Sequence, residues 1–312
     1  MIEEIVLKIL VIFLMIAIGY AARKFRLLKE NAASTLSDLL FGIAIPCMVL
    51  DTMQQNDFEG QIVNDTFWSL LVYVVVTLLL CALSFPVAKL FRAEGDEEGI
   101  FRFQIAFTNF GFMGIPLTKA MFGGYCELIN LIMNIGFNLV VYTVGIVVMI
   151  YQKGDKFFDR RMLGRMLNLT LISCVAGLII FITGFRFPSF INEGLGYVGD
   201  TVVPVAMIII GMQLQGSNIR RLLSRRNLFL CVISLILVPA FTLGVCLLLP
   251  VSSSVAITMA FGMAMPSAAI TVILAEQFDR NVLLASEGVA VTTFFSMMTL
   301  PVWAIILSYT LL

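Results

Sequence analysis

The sequence predicts an all-α integral membrane protein of ten transmembrane helices, arranged as two inverted five-helix repeats in which the fourth helix of each repeat is broken. Three observations carry this reading. Hydrophobic residues make up 60% of the 312 positions, and the mean hydropathy is +1.01. A window of about 19 residues marks apolar stretches near 4–22, 32–52, 66–91, 101–123, 127–151, 163–184, 191–214, 228–250, 254–276 and 283–311. The positive charges fall in alternate connections between those stretches.

The first stretch follows Glu3 and Glu4 and has no small-residue cleavage site, so it reads as a retained helix rather than a signal peptide. The connections at 23–31 and 153–161 are firmly polar, whereas 124–126 and 251–253 are short. Arg23, Lys24, Arg26 and Lys29 follow the first span; Lys89, Arg92 and Arg102 lie around the end of the third. Lys153, Lys156, Arg160, Arg161 and Arg165 follow the fifth, Arg220, Arg221, Arg225 and Arg226 the seventh, and Arg280 the ninth. Only Lys8, Lys119 and Arg186 lie elsewhere, so 17 of the 20 cations mark one side. Cationic loops stay in the cytoplasm, which places both termini outside a plasma (bacterial inner) membrane. Glu94-Gly95-Asp96-Glu97-Glu98 reads as a solvated cytoplasmic turn.

Five spans per half force the halves into opposite orientations: residues 1–152 form the first repeat, 153–161 a cytoplasmic linker and 162–312 the second repeat. The second helix of each half carries a proline, Pro46 or Pro204. From Pro46 to Pro116 is 70 residues and from Pro204 to Pro266 is 62. The fourth helix of the first half contains Thr108-Asn109-Phe110-Gly111-Phe112-Met113-Gly114-Ile115-Pro116, and its counterpart contains Phe261-Gly262-Met263-Ala264-Met265-Pro266. Proline removes a backbone donor and clashes with the preceding turn, so both segments are expected to break near the midplane. Paired breaks of this kind imply a substrate site between the halves of a secondary transporter.

The half-helix beginning near Pro116 is expected to turn its partly positive amide end inward, where an anion is favoured. Asn109, Gly111, Pro116, Pro266, Lys119 and Asn138 are the candidate substrate-binding residues. Asn109 either meets the substrate or caps the broken backbone. Lys119 either supplies a fixed positive charge or pairs with an acid such as Asp51. The chain has no histidine, so a coupling H+ or Na+ must be carried by carboxylates. Asp200, Asp38 and Asp51 are the candidates, the first two within about two turns of a predicted kink. Asn130, Asn134, Asn138 and Tyr142 recur every four residues and form a polar stripe that cannot face lipid.

Other chemistry is excluded. Gly194-Leu195-Gly196-Tyr197-Val198-Gly199 matches a dinucleotide fingerprint by letter but has no strand-turn-helix setting. There is no phosphate-binding loop, and the six cysteines lack paired metal-ligand spacing. Neither an enzyme, a metal site nor an organic cofactor is expected.

The stretch Thr108 through Leu117 resembles the signature of the auxin efflux carrier family, which includes plant carriers and many bacterial permeases. Further matches follow at Ile43-Ala44-Ile45-Pro46, Met207 through Leu214, Met265-Pro266 through Leu274-Ala275, and Thr292 through Pro301. The resemblance implies crossed fourth and ninth helices, an elevator-like motion of a core against a scaffold, and a homodimer. It makes Asn109, Pro116 and Pro266 the crossing residues. Met265 precedes Pro266, with no asparagine nearby, so the second crossing lacks a counterpart to Asn109. The function implied is that of a permease for a small organic acid, such as malate, malonate, lactate or an auxin-like carboxylate. The alternative is a cation/proton exchanger of similar fold using Asp200 or Asp38. The expected partners are the organic anion, membrane lipid and a second copy of the chain, with no nucleic acid. A cysteine placed within 153–161 should be shielded from an impermeant thiol reagent in intact cells, while one placed ahead of Glu3 should react.

Overall fold

The structure is a computed structural model that describes residues 2–29, 31–55, 60–90, 96–150, 169–215, 224–278 and 280–311. Residues 153–161, the expected linker, lie outside the described set. Among the described residues all regular structure is helical, apart from one isolated antiparallel bridge between Thr108 and Ser267. Long apolar runs permit nothing else, because a backbone in lipid must satisfy its polar groups within its own segment.

The helices in chain order are α1 (Ile2–Lys24), α2 (Ala32–Gln54), α3 (Gln61–Leu90), α4 (Asp96–Ala106), α5 (Ile115–Phe122) and α6 (Gly124–Ile150). They continue as α7 (Leu169–Thr183), α8 (Ser189–Asp200), α9 (Val202–Gln215), α10 (Arg225–Leu248), α11 (Ser253–Met263), α12 (Ile270–Gln277) and α13 (Val282–Leu311). Among the described residues, six stretches are long and apolar enough to cross a membrane: α2, α3, α6, α10, α13 and the Ser189–Met212 run through α8 and α9. Large apolar side chains stand on the outside of these helices, including Leu248 at 86% exposure and Met298 at 71%. Such a surface suits lipid contact, and the chain is a multi-pass membrane protein.

Proline shapes the helices locally. Wide π turns at Leu40–Ala44, Phe110–Gly114 and Ile233–Leu237 each end two residues before a proline, Pro46, Pro116 and Pro239 respectively. The ring lacks an N–H and crowds the carbonyl four residues back, and a widened turn relieves that clash without ending the helix. Pro204 acts more strongly, since the helix is interrupted at Thr201, just past the carbonyl that its ring would strike. Pro116 therefore lies inside a continuing helix. The break expected at Pro116 falls earlier, at Phe107–Asn109, and the second half-helix begins at Phe110.

The helices pack in two groups. One contains α1, α2, α7, α8 and α9; the other contains α3 to α6 and α10 to α13. Small residues bring the first group together. A Cβ on Gly19 of α1 would fall on the Ile208 carbonyl of α9, and one on Gly211 of α9 would fall on the Ile16 carbonyl of α1. Backbone-to-backbone contact of this kind is how helices associate where no hydrophobic drive separates them from lipid. Gly199 of α8 also lies close to the Met48 backbone of α2, a Cβ there falling 2.8 Å from its Cα. The two groups meet across a shared apolar core in which Ile16, Met207 and Phe181 face Met113, Leu117, Phe261 and Leu300. A Gly211→Leu substitution should separate α1 from α9 and lower stability by about 1–3 kcal/mol or more, read as a fall in Tm of the purified protein in detergent.

Candidate functional site

The centre of the second group is the place where two interrupted helices meet. After α4 the chain leaves the helix through Phe107–Asn109; after α11 it runs irregularly through residues 264–269 before α12 begins. These strands cross antiparallel. The Asn109 amide donates to the Pro266 carbonyl at 2.7 Å, and the Ala268 amide donates to the Phe107 carbonyl at 3.0 Å. Each interruption frees backbone groups in a water-poor interior, and each supplies the partners that the other lacks.

Side chains complete the closure. The Thr108 hydroxyl donates to the Gly262 carbonyl at 2.9 Å, and the Ser267 hydroxyl donates to the Gln104 carbonyl at 3.2 Å. The Ser267 amide donates to the Thr292 hydroxyl of α13 at 3.1 Å, and that hydroxyl donates onward to the Gly288 carbonyl at 2.8 Å. The Gln104 side-chain amide donates to the Ala285 carbonyl of the same helix at 2.9 Å. Phe110 sits where Gly262 has no side chain and meets Tyr73 edge-on, with ring centroids 5.0 Å apart. α13 thus braces both broken helices.

Asn109 is buried at 8% exposure. Its side chain makes no capping bond to the half-helix that follows, and its carbonyl takes the Met113 and Gly114 amides at 3.2 and 3.0 Å instead. The alternative of a purely capping side chain is therefore replaced by capping through the backbone. Gly111 lies in the first turn of that half-helix.

The asparagine stripe of α6 lies against the same half-helix. A Cβ on Gly111 would meet the Asn134 amide nitrogen at 2.6 Å, and one on Gly114 would meet that of Asn130 at 3.4 Å. Asn130 donates to the Thr118 hydroxyl at 3.0 Å, while its own carbonyl oxygen is buried without a hydrogen-bond partner. The Asn138 side-chain amide donates to the Asn134 backbone and side-chain oxygens, both at 2.8 Å. Asn138 is thereby tied to Asn134, which is the member of the pair that reaches the half-helix.

The charged residues are distributed otherwise than expected. Lys119 pairs with Glu127 and with Asp200, each at 3.5 Å, rather than with Asp51. Asp51 is buried and accepts from the Gln55 side chain at 2.8 Å. Asp200 and Asp38 are exposed, so the burial expected to make them protonatable sites is absent. Burial falls instead on Glu127 and Asp65, each at 1% exposure. One Asp65 oxygen accepts from the Tyr125 hydroxyl at 2.7 Å; its other oxygen and Glu127 Oε1 have no hydrogen-bond partner. Sequence reasoning passed over both acids because each stands at the mouth of an apolar stretch, where an acid is ordinarily hydrated. The signal for Glu127 was its register: it continues the Asn130–Asn134–Asn138 face one turn towards the helix start. Among the described residues no group of three metal-ligating side chains comes together.

The chain matches the membrane transport protein family over residues 4–304. It belongs to that family. The transporter is also similar to two archaeal proteins, both described as uncharacterized transporters. One, from Methanocaldococcus jannaschii, is 24% identical over 306 residues, covering 96% of this chain and 97% of the relative. The other, from Methanothermobacter thermautotrophicus, is 26% identical over 313 residues, covering 97% and 98%. The auxin efflux carrier resemblance carried by Thr108 through Leu117 therefore extends along nearly the whole transporter. Replacing Thr292 with valine should leave the Ser267 amide unpaired beneath the crossing and cost about 1–3 kcal/mol, measured as a lower denaturation temperature of the detergent-solubilised transporter.

Proposed function

We propose that this transporter is a secondary carrier for a small organic anion, working by alternating access at the crossing of the broken helices. The observation that carries the reading is the antiparallel contact in which Asn109 meets Pro266. It holds a positively polarised half-helix end, with the amide of Gly111, beside a buried Asn109 side chain that has no capping duty. A carboxylate accepts hydrogen bonds from both sources. Pro116 acts by widening the turn at Phe110–Gly114, and Pro266 by presenting its carbonyl to Asn109. Lys119 is left out of the anion site, since two carboxylates already match its charge.

The packing suggests how such a carrier moves. In the reading of ten spans as two inverted repeats, the first two helices of each repeat make one packing group, and the last three of each make the other. Sliding of the crossing-bearing group against the smaller one is an elevator-like motion, with extracytoplasmic termini and two copies of the chain per assembly. An apolar cavity lies along the boundary, lined by Ile16 and Met207 from the smaller group and by Met113, Leu117, Phe261 and Met297 from the larger. The exchanger built on Asp200 and Asp38 draws no support from their exposed positions.

The test is uptake of radiolabelled mono- and dicarboxylates into liposomes holding the purified transporter. Saturable uptake of at least one acid is expected. Asn109→Ala should reduce it by about tenfold or more, the worth of one hydrogen bond to a charged group. Undiminished uptake in that variant would remove the crossing from the anion site.

A further inference from the structure

The buried carboxylate of Glu127 takes no part in the crossing, and its surroundings assign it a task. It stands in the first turn of α6 with its side chain 2% exposed. One oxygen faces the Lys119 ammonium at 3.5 Å, longer than a well-formed charged hydrogen bond, and the other faces no donor. Ionisable groups inside a membrane protein are rare and tend to mark ion or proton pathways. An open oxygen on a buried acid is a place for a proton, the smallest species that satisfies it.

The position of Lys119 supplies the second half of the argument. It belongs to α5, in the same packing group as Glu127, yet it is equally distant from Asp200 at the end of α8 in the other group. Exposure rises along the series, from 2% at Glu127 to 32% at Lys119 and 72% at Asp200. The three groups form a chain from the buried boundary between the packing groups to the outside of the protein. From the smaller group, the Thr52 side chain of α2 hydrogen-bonds the Glu127 carboxylate, and Asp51 lies within electrostatic reach of it. On its own side, Asp65 of α3 is held by Tyr125, and Cys126 adjoins Thr258 of α11.

We propose that Glu127 is the proton-binding residue of this transporter and that Lys119 exchanges partners between Glu127 and Asp200 as the proton comes and goes. A proton arriving on Oε1 neutralises Glu127, and the ammonium is then held by Asp200 alone, across the boundary. Its departure restores the Glu127–Lys119 pair within one group and weakens the tie between groups. Charge at Glu127 thus controls a latch on the sliding surface. The site itself stands apart from the anion reading, but its role in coupling rests on that reading.

Infrared difference spectra of the purified transporter between acid and alkaline buffer test the site without any substrate. Among the carbonyl bands that the 20 acids of the chain give on acidification, one component is expected to be lost in Glu127→Gln, displaced in Glu127→Asp and kept in Asp65→Asn. A difference spectrum in which Glu127→Gln removes no component overturns the proposal. In liposomes, an inward proton gradient should alter carboxylate uptake by the unmodified transporter and by Asp65→Asn but not by Glu127→Gln. A gradient response that persists in Glu127→Gln would also overturn it. The Glu127 band in a transporter that moves none of the carboxylates would leave the proton site standing and remove the organic anion.

Discussion

The rest of the structure depends on two backbone hydrogen bonds, from Asn109 to Pro266 and from Ala268 to Phe107. An interrupted helix in a membrane interior exposes amides and carbonyls that lipid cannot satisfy, at several kcal/mol each. Neither interruption is tolerable alone. Set antiparallel, each satisfies the other, and Thr108, Ser267 and Thr292 take up polar groups that the bridge itself does not reach. The crossing is therefore one unit drawn from two distant parts of the chain.

Around that unit the helices divide according to where they can approach closely. Gly19 and Gly211 let α1 and α9 touch backbone to backbone, and Gly199 does the same for α8 against α2. The crossing group has such a contact too, between Gly99 of α4 and the Met149 backbone of α6, and is held further by buried aromatic side chains such as Tyr73, Phe103, Phe107 and Phe110 and by hydrogen bonds to α13. Between the groups lies an apolar face rich in methionine, whose unbranched, polarisable side chains adapt to changed neighbours.

The polar stripe of α6 links the crossing to the charged cluster. Asn134 lies against Gly111, Asn130 bonds Thr118, and one turn earlier Glu127 faces Lys119. A single helix face thus runs from the half-helix at the crossing to the Lys119 ion pairs. Movement of charge at one end has a direct mechanical neighbour at the other, without any relay through loops.

The sequence by itself determined the helical class, the apolar stretches, the two interrupted segments and the family. Each depends on local composition or on motif, and neither changes with tertiary context. Asn109 and Pro266 were legible for the same reason, since proline and a neighbouring amide announce a break. Tertiary structure decided what periodicity cannot see. It placed the first break at Phe107–Asn109 because Pro116 could be absorbed by a π turn. It chose Glu127 and Asp200 as partners of Lys119, and it left Asp38 and Asp200 exposed while burying Glu127 and Asp65. Whether a carboxylate is buried, paired or hydrated is a property of the helices packed around it, and those come from remote parts of the chain.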